Sequence, residues 1–163
     1  MRVLIVSDTH RRDENFYSII ESLEPLDMVI HCGDAEGSDV QMRWKLNCAF
    51  LVVRGNNDFF SELPREVEIS IGKYKAMITH GHYYNVNMGR ERLVEEAKSR
   101  GFDIVMYGHT HRPIIEVIDG IMVLNPGSLS YPRQEGRRPS YIILDIDDMG
   151  DAHYRLCYFK QEQ

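Results

Sequence analysis

The chain is poor in cysteine, and the cysteines it has are not spaced to act together. Cys32, Cys48 and Cys157 are an odd number, and none belongs to a CxxC pair. That argues against a disulfide framework and fits a reducing compartment. Basic residues are in deficit, with 19 Lys and Arg against 25 Asp and Glu and a net charge of −6. Broad attraction to extended nucleic acid or to anionic lipid is therefore not expected. A local positive site stays open, and bound metal ions would create one. No apolar run approaches the length that spans a bilayer. The opening MRVLIVSDTH has one basic residue and a single stretch of consecutive apolar ones, Val3 to Val6, less than a secretory leader needs. The expectation is a cytoplasmic protein. Repeats, low-complexity stretches and linkers are also missing, so 163 residues at 43% hydrophobic and 27% charged predict one domain over 1–163 with its own core.

What is present is a series of short apolar runs. Val3 to Val6, Met28 to Ile30 and Ala49 to Val53 read as buried strands. Between them, Glu14 to Leu23 carries Phe16, Ile19, Ile20 and Leu23 at helical spacing after an N-cap candidate, Asp13, and Asp39 to Leu46 reads as a short helix. Pro25 closes the first helix. This β-α-β-α-β order predicts a parallel sheet. The pattern then changes. Glu66 to Ile71 and Lys73 to Thr79 flank a turn at Gly72. Glu91 to Ser99 is a helix stopped by Gly101, and Ile104 to Tyr107 is a strand. Ile114 to Ile118 and Ile121 to Leu124 flank Asp119-Gly120, a hairpin signal, and Tyr141 to Ile146 with His153 to Phe159 form a last hairpin.

Nearly every cluster of Asp, His and Asn follows one of these strands: SDTH, HCGD, GNND, HGH, GHTH and NPGS. In α/β sheets, sites form at the carboxyl ends of strands, so clusters far apart in sequence can meet. Asp8 and His10, His80 and His82, and His109 and His111 are each two apart, a spacing that points both side chains one way at a strand end. Asp34 and Asn56 each follow a glycine, which lets the backbone turn close to a ligand. Carboxylates, imidazoles and one amide oxygen suit Mn²⁺, Fe or Zn²⁺ rather than a thiolate cluster. The donors outnumber what one ion needs. Two ions about 3.5–4 Å apart, sharing a carboxylate and a hydroxide, would use them all. Taken singly, each of these residues is as well explained by a turn cap, a loop acid or a core histidine. Cys32, between His31 and Gly33, reads better as a small buried residue than as a soft ligand.

DTH, GD, GNND, HGH and GHTH, in that order, resemble the motif set of the calcineurin-like metallophosphoesterases, and the short length with NPGS resembles the small bacterial and archaeal phosphodiesterase branch, the YfcE-like group. The resemblance runs from position 3 to about 146. It implies an α/β sandwich of two mixed β-sheets flanked by helices, with the metals at one edge. It also implies ligands: Asp8, His10 and His111 on a first metal, Asn56, His80 and His109 on a second, and Asp34 bridging them. The cofactors would be two divalent ions, Mn²⁺ first, with Ni²⁺, Fe²⁺, Zn²⁺ or Mg²⁺ as alternatives. A hydroxide held between them would attack a small phosphodiester.

At one position the chain departs from the family. The larger superfamily has a His where this chain has Asn57, and that His is thought to protonate the leaving group. Asn57 has no titrating proton, and Asp58 loses the partner it would orient. General acid catalysis is worth about 10²–10⁴-fold, so the gap favours good leaving groups or another donor. His82 is the nearest substitute, with a role at the rim as the alternative, and Asn57 could donate to a phosphate oxygen. Together Asp34, Asn56, Asn57 and His82 form the catalytic set. NPGS reads as a tight turn beside the metals. Arg11 and Arg12 are open to either an anionic substrate or solvent, and Arg133, Arg137 and Arg138 read as a surface loop. Tyr83 and Tyr84 would stack on a base or cover the core.

Two other functions compete with the diesterase. The retromer subunit of eukaryotes is a non-catalytic relative in this superfamily, and such interaction modules lose metal ligands. Here all seven positions are filled. A phosphomonoesterase or protein phosphatase would be expected to carry a recognition insert and the His at 57. A homo-oligomer is left open.

Overall fold

A computed structural model describes residues 1–23 and 25–159. Two five-stranded mixed sheets form its framework. The first takes β1 (Arg2–Val6), β2 (Met28–His31), β3 (Ala49–Val52), β9 (Ser140–Ile146) and β10 (Ala152–Tyr158). The second takes β4 (Glu66–Ile71), β5 (Tyr74–Thr79), β6 (Ile104–Met106), β7 (Ile114–Ile118) and β8 (Ile121–Asn125). Their spatial orders are β10-β9-β1-β2-β3 and β4-β5-β6-β8-β7. Three helices, α1 (Glu14–Leu23), α2 (Asp39–Lys45) and α3 (Glu91–Ser99), flank the sheets. The expected sandwich is the one found.

β1 reads as a continuous apolar run because both its edges are paired and both its faces covered. It runs parallel to β2 and antiparallel to β9, with Leu4 opposite Val29 and Ile143. Alternation along the strand divides the core. Val3 and Ile5 face the second sheet and pack with Ile30, Cys32, Ile78, Met106 and Leu124. Leu4 and Val6 face the other way, onto Phe16, Ile19 and Ile20 of α1 and Met42 of α2. The outer face of the second sheet, Met77, Val105 and Val123, is closed by Leu93, Val94 and Ala97 of α3.

Register is what builds the site. Val6 pairs with His31 and His31 with Val52, so β1, β2 and β3 end level. Ile78 pairs with Met106 and Met106 with Leu124, so β5, β6 and β8 do the same in the second sheet. The loops that follow these six strands leave from matched edges.

Differences from the sequence reading lie at element ends. The second helix stops at Lys45, because Leu46 is already extended at φ −96° and ψ 136°. Lys73 belongs to the turn at Gly72 rather than to β5. Val53 and Tyr107 continue the ladders by one hydrogen bond, to the carbonyls of His31 and Leu124, but lie outside the strands. A short 3₁₀ turn over His82–Tyr84, entered from a left-handed Gly81, was not anticipated. The thiol of Cys32 packs between the sheets, where burial pushes its pKa up, so it is a core residue and no metal donor.

Candidate metal centre

Asp8, the second residue after β1, is fully buried. One of its oxygens, Oδ2, accepts from the Ser7 hydroxyl at 2.6 Å and the His109 N–H at 3.1 Å. The other, Oδ1, has no hydrogen-bond partner. Around it stand the Nε2 atoms of His111 at 3.1 Å, His10 at 3.8 Å and His80 at 4.0 Å. Asp34 Oδ2 lies 3.4 Å from His80 Nε2 and 3.9 Å from His10 Nε2. Two sets of donors can each close on one cation, Asp8 with His10 and His111, and Asp8 with Asp34 and His80. Asp8 belongs to both sets, while Asp34 belongs to the second and approaches the first only at His10. The Asn56 amide oxygen completes the second side, 3.0 Å from His80 Nε2 and 2.8 Å from His109 Nδ1. All seven expected donors meet in one place.

Their outer atoms are tied down. His10 Nδ1 bonds Glu36 at 2.6 Å, His80 Nδ1 the Cys32 carbonyl at 2.7 Å and His111 Nδ1 the Tyr131 carbonyl at 2.7 Å. Each Nδ1–H donates outward and each Nε2 faces the centre, the orientation that second partners impose on metal-binding imidazoles. His10 and His111 point Nε2 at Nε2 across 3.3 Å. Two lone pairs do not bond one another, and a cation between them would satisfy both. A buried carboxylate oxygen without a partner and converging imidazoles therefore fit a divalent ion with O and N ligands.

Charge in the site follows from this packing. Burial works against ionised Asp8 and Asp34, but His111 and His80 outweigh it for Asp8, and His80 with Asn57 for Asp34, so both pKa values fall below the ordinary carboxylate value. Burial also opposes a charge on His80, yet Asp34 and Asp8 hold its pKa up at about 9. His82 goes the other way. Burial, then His80 and His109, push it down to about 4, and its ring lies 3.9 Å from that of Tyr83.

The backbone is bent sharply to bring these groups together. Asp8, His10, Asp34, His109 and His111 all have positive φ, between 48° and 65°. Such conformations are uncommon outside glycine and cluster at functional sites. Two glycines leave room for them. A Cβ on Gly55 would lie 2.0 Å from Asp34 Oδ1, and one on Gly108 would lie 2.0 Å from Ser7 Oγ.

Several functional contacts were not read from the sequence. Asp58 accepts from the backbone N–H groups of Asp34 at 2.8 Å, Glu36 at 2.5 Å and Gly55 at 2.7 Å, so it ties the HCGD loop to the GNND loop. Asn57 holds both oxygens of Asp34, through its N–H at 2.8 Å and its side-chain amide at 2.7 Å. Its side-chain amide is thus engaged by a carboxylate. Asn87 contacts His109 Nε2 at 2.8 Å. NPGS is more than a turn. The Asn125 amide donates to the Gly108 carbonyl at 2.8 Å, and the Ser128 hydroxyl donates to the Asp8 carbonyl at 2.7 Å, joining the loops of the two sheets.

Residues 1–149 match the calcineurin-like phosphoesterase superfamily domain. The chain belongs to this superfamily. Among its relatives, the probable metallophosphoesterase YsnB of Bacillus subtilis is 34% identical over 149 residues, 91% of this chain and 86% of that protein. A phosphodiesterase of Methanocaldococcus jannaschii is 33% identical over 144 residues, covering 78% of this chain and 83% of its own. The fold also matches Vps29 of Entamoeba histolytica, solved with zinc, at a TM-score of 0.76 and 23% identity over 98% of this chain and 100% of that one. At that identity the likeness speaks for the fold alone. As a calcineurin-like phosphoesterase, the chain is in a metal-dependent hydrolase family with phosphodiesterase members. No helix among its described residues is long and apolar enough to cross a membrane.

Proposed function

We propose that the protein is a metal-dependent phosphodiesterase acting on small phosphodiesters in the cytoplasm, as a single domain over 1–163. The observation that carries this reading is the unpartnered Asp8 Oδ1 facing three imidazole Nε2 atoms, with Asp34 and Asn56 completing a second side. Asp8, His10 and His111 would hold one divalent ion, and Asn56, His80 and His109 another, with Asp34 shared. Mn²⁺ is the first choice, and Ni²⁺, Fe²⁺, Zn²⁺ and Mg²⁺ are alternatives. When bound, the pair would acidify water near neutral pH and draw charge from the phosphoryl oxygens.

The chain's own residues do the rest. Glu36 and the Cys32 and Tyr131 carbonyls keep the imidazoles aimed inward. Asn57 fixes the rotation of Asp34 and is a positioning residue. Asn56 contributes oxygen without charge, so the site's positive charge stays available to phosphate. His82, neutral at neutral pH, would offer an N–H to the phosphoryl or leaving oxygen. With no titrating acid at 57, the rate would depend on how well the leaving group carries charge.

The test compares bis-p-nitrophenyl phosphate with p-nitrophenyl phosphate on metal-stripped protein given Mn²⁺, beside Asp34→Asn. Cleavage of the diester over the monoester, lost without metal and in the variant, is the expected result. Absence of metal binding would overturn the reading and leave the interaction module.

A further inference from the structure

A cleft of about 800 Å³ opens beside the centre, with His10 and His111 in its lining. Its remaining wall includes Arg112, Tyr131, Arg133 and Arg137. None of these three guanidinium groups has a carboxylate at ion-pair distance among the described residues. Four of the 14 arginines have such a partner, Arg155 beside Asp145 among them, so what sets these three apart is that they share one wall. Arg2 pairs with Asp145 at 2.8 Å, Arg90 in the neighbouring cleft with Glu116 at 3.3 Å, and Arg100 with Glu66, Glu68 and Glu96. In a chain of net charge −6, three uncompensated arginines on one wall form a local positive field.

Their placement is tied to the site. Arg112 follows His111 directly. The Arg133 N–H donates to the His111 carbonyl at 3.0 Å, so the arginine loop and the GHTH loop are joined. A fourth guanidinium, Arg12, stacks on the Tyr131 ring at 4.6 Å. Arg138 differs from its neighbours, lying over Tyr158 and off the cleft wall.

The volume is what a nucleotide-sized ligand needs, and arginine is the side chain best shaped to grip phosphate. The scissile phosphate has its own place at the metal donors. We propose that the cleft receives a second phosphate of the substrate, so that the substrate class is a phosphodiester bearing a further phosphate group. This rests on the phosphodiesterase reading for the bond that is cut.

Two esters test it. The p-nitrophenyl ester of thymidine 5′-phosphate and the same compound with a 3′-phosphate share the bond broken and the leaving group. The wild type should favour the 3′-phosphorylated ester in kcat/KM, mainly through KM, by roughly tenfold or more, the scale of a charge-assisted hydrogen bond. The double variant Arg133→Gln/Arg137→Gln should bring that ratio close to one, and each single variant should lower it, while Arg138→Gln, which removes as much charge as either single variant, should retain it. Calorimetry gives a readout without turnover: with Mn²⁺ present, thymidine 3′,5′-bisphosphate should bind more tightly than thymidine 5′-phosphate, and the double variant should lose the difference. Equal handling of each pair by the wild type, or a preference that survives the double variant, overturns the inference. If neither ester is cut but the binding preference and its loss are seen, the cleft stands as the phosphate site and the phosphodiesterase reading fails.

Discussion

Asn57 grips Asp34 with two hydrogen bonds, one to each carboxylate oxygen, at 2.8 Å and 2.7 Å. A residue that cannot move a proton thus decides where the carboxylate proposed as the shared donor points. Asn57→Ala removes the side-chain bond and keeps the backbone one. Partners of this kind are worth about 10–100-fold in metal affinity or activity. A loss of that size in Mn²⁺ affinity by calorimetry is expected, with the thermal midpoint in chelator little changed. An unchanged affinity would make the Asn57 contact incidental.

Metal uptake should release a proton. His80 titrates at about 9 because Asp34 and Asp8 overcome its burial, so at pH 7 it is charged. A cation must displace that proton. Apparent affinity should rise with pH and level off above about 9. Calorimetry in buffers of different ionisation heat should show proton release at pH 7 that is smaller in His80→Gln. Affinity that falls with rising pH would contradict the assignment.

Acid should weaken the fold through a different histidine. His31 is fully buried, meets Thr9 Oγ1 at 3.1 Å and accepts the Gly33 N–H, and burial pushes it down to about 4. Its folded pKa is below the unfolded value, so the stability it contributes is complete above about 6.5 and is lost as pH falls toward 4. The loss is on the order of 3 kcal/mol. Urea midpoints in chelator should drop across that window. In His31→Gln the drop should be shallower, and an equal slope in both proteins would place the acid sensitivity elsewhere.

Strands were legible because their burial is written locally. Val3 to Val6 is apolar at every position because both faces of β1 are covered, and Asp119-Gly120 turns a hairpin whichever sheet it joins. That the seven candidate donors could meet was legible for a similar reason: each follows a strand within a few residues. What fixes their orientation was not. Glu36 and the Tyr131 carbonyl act on His10 and His111 from other loops, and nothing in EGS or SYP announces it. Asp58 could be expected beside a missing imidazole, but its three backbone contacts depend on how closely two loops approach. The 3₁₀ turn at His82 depends on Gly81 turning left-handed, which a glycine permits without requiring.

The central place of β1 has a consequence for synthesis. Its neighbours are β2, made soon after it, and β9, made near the end of the described chain. The Ser128 hydroxyl that secures the Asp8 carbonyl also comes late. During translation, the earliest donors therefore wait beside a half-built sheet for their remaining walls. Pairings this distant in sequence are slow to form. The full set of candidate donors, from Asp8 and His10 to His80, His109 and His111, therefore comes together only when strands of both sheets have been made.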